Sequence, residues 1–342
     1  MGVSSYEVEK FRRDSACWKV KSPSICSKSP FHLSNVQMPA LSKLTVPVVL
    51  IIFHRPDTTA QVFERIREAA PAHLFVIADG PRLTHPDDAQ ACAATRAIIQ
   101  KVDWDCTVHT RFSDVNLGCH LNITTGLDWV FEHVPEAIIV EDDCLPHPTF
   151  FRFCAELLER YRDEPQIMTV CGNNFQFGRT VTSDSYFFSR YAHTWGWATW
   201  WRAWEKYDLR AQKWNELKDT NWLVDMLGDR YAAQFWGNYF QWMTERPFAW
   251  DYAVTFAAWV HNAVNILPNR TLVSNIGFGD QATTTRQTDS VFAAMPAFEM
   301  GFPLRHPAEI TRHIQADDFT EQTIFSRKVG KVFEAFKSRK KQ

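Results

Sequence analysis

Three carboxylates stand side by side at Glu141, Asp142 and Asp143, directly after the apolar run of residues 137–140. Adjacent negative charges at the end of a buried strand repel one another, and burying them is costly unless a cation sits among them. A hard divalent ion that takes oxygen ligands and bridges to substrate phosphates meets that need. The same triplet also fits an acidic surface turn or a helix start, although the next helical pattern begins only after Pro146. A further acid, Asp79, closes the apolar run of residues 74–78 ahead of Gly80 and Pro81; it suits a contact to a nucleobase N–H, or the start of a turn. Arg82 and Arg111 lie near strand ends, where they face phosphate or form a solvated rim. His54 and Arg55 follow the first apolar run and are placed to touch a ligand, though a lone histidine there is usually structural.

Aromatic residues supply a different chemistry. Tryptophan faces stack on sugars, and in Trp195-Gly196-Trp197 the glycine lets backbone approach a ligand closely; burial in a core is the alternative. Trp197, Trp200, Trp201 and Trp204 recur at helical spacing and read as a core stripe. Trp250-Asp251-Tyr252 sets an acid at the mouth of a predicted helix, either as a cap contributing about 1 kcal/mol or as a general base.

Missing motifs narrow the field. The chain has neither a P-loop nor a dinucleotide fingerprint, its 12 histidines form no HExxH, and no Gly-x-Ser-x-Gly elbow occurs. A net charge of −2 gives no global electrostatic reason to bind nucleic acid. Apolar runs such as residues 46–53 fall well short of the roughly 20 residues that span a bilayer. The charged N-terminal residues contain no apolar signal core, and the 8 cysteines, without a CxxC pair, read as reduced thiols of a cytosolic protein.

The elements that must position these residues alternate from Val46 onward. The spacing predicts strands over 46–53, 74–78, 107–112 and 137–140, with helices over 58–70 (capped by Asp57), 86–100, 121–133 and 148–162. Such alternation favours a doubly wound, mostly parallel sheet that binds ligands at the carboxyl ends of its strands. Asp79, the Asn116 loop and the acidic triplet then converge on one rim. Past a strand at 167–170 aromatics crowd in, followed by a helix over 251–262 and strands over 265–267 and 271–274. We divide the chain into a flexible extension over 1–42, with Met38 as a candidate start, a nucleotide-binding half over 43–175, an aromatic lobe of the same domain over 176–300, and a tail over 301–342. The basic segment from Ser326 is either a solvated terminus or a helix lying on an anionic membrane.

Taken in order, VVLIIFHRPDTT, FVIADGPR, NLGC, AIIVEDDCLPHPTFFRFC, FSRYAHTWGWATW, WDYAV and LVSNIGFG span roughly residues 46–285. This set resembles nucleotide-sugar glycosyltransferases of the GT-A fold, similar to bacterial family 2-like members and more distantly to the N-acetylglucosaminyltransferase I group. The resemblance implies an α/β, GT-A-like sheet with an aromatic-rich acceptor lobe. It further implies metal-dependent, inverting transfer of a hexosyl or N-acetylhexosaminyl group from a nucleotide-diphosphate sugar, UDP-sugar favoured, to a glycan or lipid-linked acceptor. The setting it implies is bacterial surface polysaccharide synthesis in the cytoplasm, with peripheral membrane contact through the basic tail. On this basis Asp79 contacts the base, with Arg82 and Asn116 also on the nucleotide-sugar. Asp143 ligates Mn²⁺ or Mg²⁺, Glu141 and Asp142 orient ribose and metal waters, Asp251 is the base, and Trp195, Gly196 and Trp197 line the acceptor side. Two departures are Thr284, where such members often carry histidine, and His54 in place of an asparagine. A nucleotidyltransferase with the same acidic site would want a basic phosphate loop, for which His54-Arg55-Pro56 is poor. A non-catalytic sugar-binding protein leaves the triplet unexplained.

Overall fold

The computed structural model describes residues 43–246, 249–279, 292–293 and 295–325. The expected extension over 1–42, Thr284 and the basic segment from Ser326 lie outside these residues. The first apolar run becomes β1 (Val48–Ile52), buried throughout. It is followed by α1 (Pro56–Ala69), β2 (His73–Ala78), α2 (Asp88–Ala97), β3 (Thr107–Phe112), α3 (Cys119–Phe131), β4 (Glu136–Glu141), the short β5 (Cys144–Pro146) and α4 (Thr149–Arg160). Asp57 does not cap α1 as expected. Arg55 occupies the N-cap position, Pro56 opens the helix, and Asp57 sits in the first turn. Proline loses no hydrogen bond there, and the carboxylate still meets the positive end of the helix dipole.

Next in the chain come β6 (Ile167–Cys171), β7 (Tyr186–Ser189) and β8 (Trp197–Trp200), and later β9 (Val264–Pro268) and β10 (Val273–Asn275). Eight strands form one sheet in the order β3-β2-β1-β4-β8-β6-β9-β7. β1 to β4 run parallel, as do β6 and β9, while β8 opposes both its neighbours and β7 opposes β9. The sheet is thus mostly parallel, with helices on both faces. Alternate residues of β1 explain why: Val48, Leu50 and Ile52 pack with Val62, Phe63 and Phe150, whereas Val49 and Ile51 pack with Ile123, Leu127 and Trp250 on the other side. Each such side chain contributes on the order of 2 kcal/mol by leaving water.

Trp197 to Trp200 correct the expected helical stripe. This tetrapeptide is a strand between β4 and β6, with all four residues buried. Trp197 faces one core layer and Ala198 and Trp200 the other, so an apolar segment covered on both faces reads with no period of its own. Only Trp201–Trp204 turns into a helix, α5, where Trp201 is exposed.

Of the remaining helices, α6 (Trp214–Leu217), α7 (Trp222–Leu227), α8 (Arg230–Glu245) and α9 (Trp250–Val260) belong with a second aromatic cluster, while α10 (Ile314–Thr320) packs through Ala316 with Cys171, Phe187 and Leu267. At the centre of the aromatic cluster Trp236 meets Trp259 at 4.6 Å and Phe325 at 4.7 Å between ring centroids. Asp229 caps α8 by accepting from the amides of Tyr231 and Ala232. None of the described helices is long and apolar enough to cross a membrane.

Candidate active site

Parallel pairing of β1 with β4 sets Ile51 beside Glu141, so the residues that follow each strand emerge together at the carboxyl rim. From the β1 side, the Phe53 amide donates to Asp142 Oδ2 at 3.0 Å. Arg55 reaches over with both arms, Nη2 to Asp142 Oδ1 at 2.5 Å and Nη1 to Asp143 Oδ2 at 2.8 Å. A cation therefore does sit among the acids, and it is a guanidinium. Burial works against the Arg55 charge, but Asp142 and Asp143 outweigh it and hold the group protonated more firmly than usual. At the other end of the same pair, burial pushes the Asp142 carboxyl up to about 6 despite the pull of Arg55. We read the pair as charged, because one Asp142 oxygen accepts from Arg55 and the other from a backbone amide, the pattern of an ionised carboxylate.

Glu141 has a different environment. No hydrogen bond to its carboxylate occurs among the described residues. Burial first, and then Asp143 and Asp142, raise its carboxyl well above the ordinary range, with a further push from Asp251. The Asp251 charge, in the first turn of α9, is thus felt at Glu141 and also at Cys119 on the cavity wall. Asp251 lies one position inside α9, whose N-cap position is held by Ala249, so it is not the capping residue.

Asp79 forms the opposite wall, where its carboxylate holds the turn after β2. Its Oδ1 accepts from the amides of Gly80 and Leu117, each at 2.8 Å, and its Oδ2 from Asn116 Nδ2 at 3.0 Å and the Gly118 amide at 2.9 Å. With two donors on each oxygen and 4% exposure, the carboxylate ties the 116–118 loop to the end of β2 and is saturated against a nucleobase. Asn116 is occupied in the same knot, also donating to the Gly80 carbonyl at 2.8 Å. Arg82 grips Asp88 through Nε at 2.6 Å and Nη2 at 2.8 Å, holding that carboxyl down at about 2. The same guanidinium meets His54 Nε2 at 3.3 Å and lies over the Phe53 ring. Arg111 points elsewhere, to the Thr125 hydroxyl.

The tryptophan loop divides. Trp197 is 1% exposed and packs near Trp204 and Trp250, so it offers no face to an acceptor. Gly196 is required by its φ of 64° and by Val273, whose Cγ2 would stand 2.7 Å from an added Cβ; it accommodates core packing rather than a ligand. Trp195 stays partly covered, edge-on to Phe175 and Phe278. The segment carrying Phe278 closes the site from a third side. β10 pairs antiparallel with β5, Ile276 donates to the Asp143 carbonyl at 2.8 Å, and Gly277 lies so close that an added Cβ would stand 2.6 Å from Asp143 Cβ.

A cavity of about 180 Å³ opens between these walls, bounded by Arg55, Asp79, Asn116, Cys119, Glu141 and Asp143. It is smaller than the roughly 300–1,000 Å³ of typical ligand sites and takes part of a larger molecule. Among the described residues no set of three side chains is arranged to hold a metal ion. What remains is Glu141 together with Asp143 Oδ1, whose neighbour is the Cys144 thiol at 3.6 Å. One or two carboxylates completed by substrate phosphates is a usual way to hold Mg²⁺, so the donor set fits such an ion. Arg55 as neutraliser and Gly277 as the close neighbour of Asp143 are the features sequence reasoning missed. The Arg55 partnership follows only once β1 and β4 are known to be adjacent.

No protein-family model and no curated protein matches the chain. Solved structures similar to it include a UDP-glucose pyrophosphorylase complexed with UDP-glucose, at 12% identity over 44% of this chain and 64% of that one, with a TM-score of 0.26. Another is a cytidylyltransferase from Leptospira borgpetersenii serovar Hardjo-bovis (strain JB197), at 11% identity over 52% and 65%, with a TM-score of 0.30. A third, an apo UDP-glucose pyrophosphorylase, has 12% identity over 42% and 64%, with a TM-score of 0.24. The match spans a little under two thirds of each of these proteins. Likeness of this degree bears on neither the substrate nor the reaction of this chain.

Proposed function

We propose that the chain is a GT-A-like glycosyltransferase that moves a sugar from a nucleotide-diphosphate sugar, UDP-sugar favoured, to a glycan or lipid-linked acceptor with inversion, in bacterial surface polysaccharide synthesis. The observation that supports this reading is the buried acidic rim at the carboxyl ends of β1 and β4, with Asp251 brought to it from another element. Expulsion of a nucleoside diphosphate needs its developing charge neutralised, which Mn²⁺ or Mg²⁺ held by Asp143 and Glu141 would supply. Arg55 and the Phe53 amide fix Asp142, so the adjoining carboxylates keep their places. Asp251 accepts the proton of the attacking acceptor hydroxyl. Trp195, the partly covered member of its loop, offers a face to the acceptor. The knot around Asp79 shapes the donor side without spending its carboxylate on the base.

A nucleotidyltransferase would need basic groups at this rim for a triphosphate. Arg55 and Arg82 are both tied to carboxylates, which favours the glycosyltransferase. Incubating the protein and Mn²⁺ with UDP-, GDP- and dTDP-sugars should release nucleoside diphosphate; pyrophosphate release from a nucleoside triphosphate and a sugar phosphate would overturn the reading. In the active pair, Asp251→Asn should lower turnover by roughly 10² to 10⁴ with donor KM nearly unchanged, since an amide accepts no proton.

A further inference from the structure

A second cavity, of about 780 Å³, lies where the chain leaves β9, and Arg179, Arg270 and Arg305 line it together with Thr180, Thr182 and Asn269. Arg270 and Arg305 also line a neighbouring cavity of about 400 Å³. All three arginines are exposed, and none of their guanidinium groups forms a hydrogen bond or ion pair with the described residues. Glu299, on the wall of the smaller cavity, is not within ion-pair distance of either arginine. By contrast, Arg55, Arg67, Arg82, Arg162, Arg190 and Arg312 each meet a carboxylate. Two of the three unpaired groups are nonetheless held in place. Arg179 lies 3.9 Å over the Phe319 ring and Arg270 lies 5.8 Å from the Phe298 centroid. Stacking of this kind fixes a guanidinium by its face and leaves the N–H edges turned to whatever fills the cavity.

We propose that this basin binds a phosphate ester or diphosphate, and that on the glycosyltransferase reading above, this anion belongs to the acceptor. Arginine forks match phosphate oxygens in pairs, and the hydroxyls of Thr180 and Thr182 add neutral donors. Apolar wall residues Phe177 and Phe298, about 40% exposed each, favour an anion that carries an apolar group. The basin communicates with the acidic rim through one stretch of chain. From Arg270 it runs through β10 to Gly277 beside Asp143, seven residues that span at most about 25 Å. An acceptor anchored by its phosphate at the basin thus has its sugar end within reach of the rim.

The test uses inorganic pyrophosphate with a chelator present, so that no metal mediates binding, and calorimetry on the full chain. The parent should bind, and Arg270→Gln and Arg305→Gln should each weaken binding about tenfold while leaving the thermal midpoint in place. Asp143→Ala should bind pyrophosphate like the parent while losing metal-dependent UDP-sugar binding. Farnesyl diphosphate binding more tightly than pyrophosphate supports a lipid-linked anion, and equal binding a water-soluble one. No binding by the parent, undiminished binding by the arginine variants, or loss of binding in Asp143→Ala would each overturn the site. Absence of nucleotide-sugar turnover alongside arginine-dependent pyrophosphate binding removes the acceptor role and leaves the anion site standing.

Discussion

Two charged regions lie at the carboxyl ends of strands in the same sheet, and they treat charge in opposite ways. At the ends of β1 and β4, three consecutive carboxylates are drawn into the protein around one guanidinium, with Asp251 adding to the negative side. At the end of β9, three guanidinium groups stand exposed with no carboxylate partner among the described residues. Burial makes the first region expensive to disturb, because a charge stripped of its partner has no water to replace it. Exposure makes the second cheap to alter, since solvent screens each arginine already. The rim is thus coupled to folding, whereas the basin is free to serve binding alone.

The largest expected effect breaks that contrast at its strongest point. Arg55→Gln leaves Asp142 and Asp143 buried without their cation, and denaturant unfolding should report a loss of about 3–5 kcal/mol at neutral pH. A loss below about 1 kcal/mol would mean that the rim tolerates bare charge. Next, Asp79→Ala orphans the donors of Gly80, Leu117 and Gly118, and should cost about 2–3 kcal/mol while loosening the 116–118 loop toward faster amide exchange.

Acid gives a third and smaller handle. Burial lowers the His193 ring to about 3 from its ordinary 6.5, and its Nε2 has no hydrogen-bond partner among the described residues. Above pH 6.5 the ring is neutral in both folded and unfolded chains and stability is complete. Below it only the unfolded chain takes up the proton, so stability falls until about pH 3. The loss amounts to about 2 kcal/mol by pH 5, and the difference between the parent and His193→Asn should shrink by about that amount between pH 7 and pH 5. Smallest of all, Arg270→Gln should shift unfolding by no more than about 0.5 kcal/mol. A larger loss would show that the basin is part of the fold's support.

Much of the first half was legible because its elements are local. β3 coincides with the expected run over 107–112, and the acidic triplet falls at the end of β4 as the apolar run before it implied. Asp79 was legible as the start of a turn but not as the anchor of the 116–118 loop, since three of its four donors lie nearly forty residues downstream. Trp197–Trp200 misled because a strand buried on both faces has no alternation to show. The arginine basin was invisible for a plainer reason. Arg179, Arg270 and Arg305 are far apart in sequence and meet only because β9 and its following turn bring them together.

Gly277 makes the rim unusually unforgiving in an evolutionary sense. A methyl group there would overlap Asp143 Oδ2 and stand 2.6 Å from Asp143 Cβ and 2.7 Å from Arg55 Nη1, so even alanine must displace both the acid and its counter-ion. On the Asp143 side the obstacles are the carboxylate oxygen and also the first carbon of a short residue, which cannot swing away without the backbone. In a library that varies every position, 277 should therefore return glycine alone under selection for activity, although it bears no functional group. The chemistry of the site is inherited through an atom that is missing.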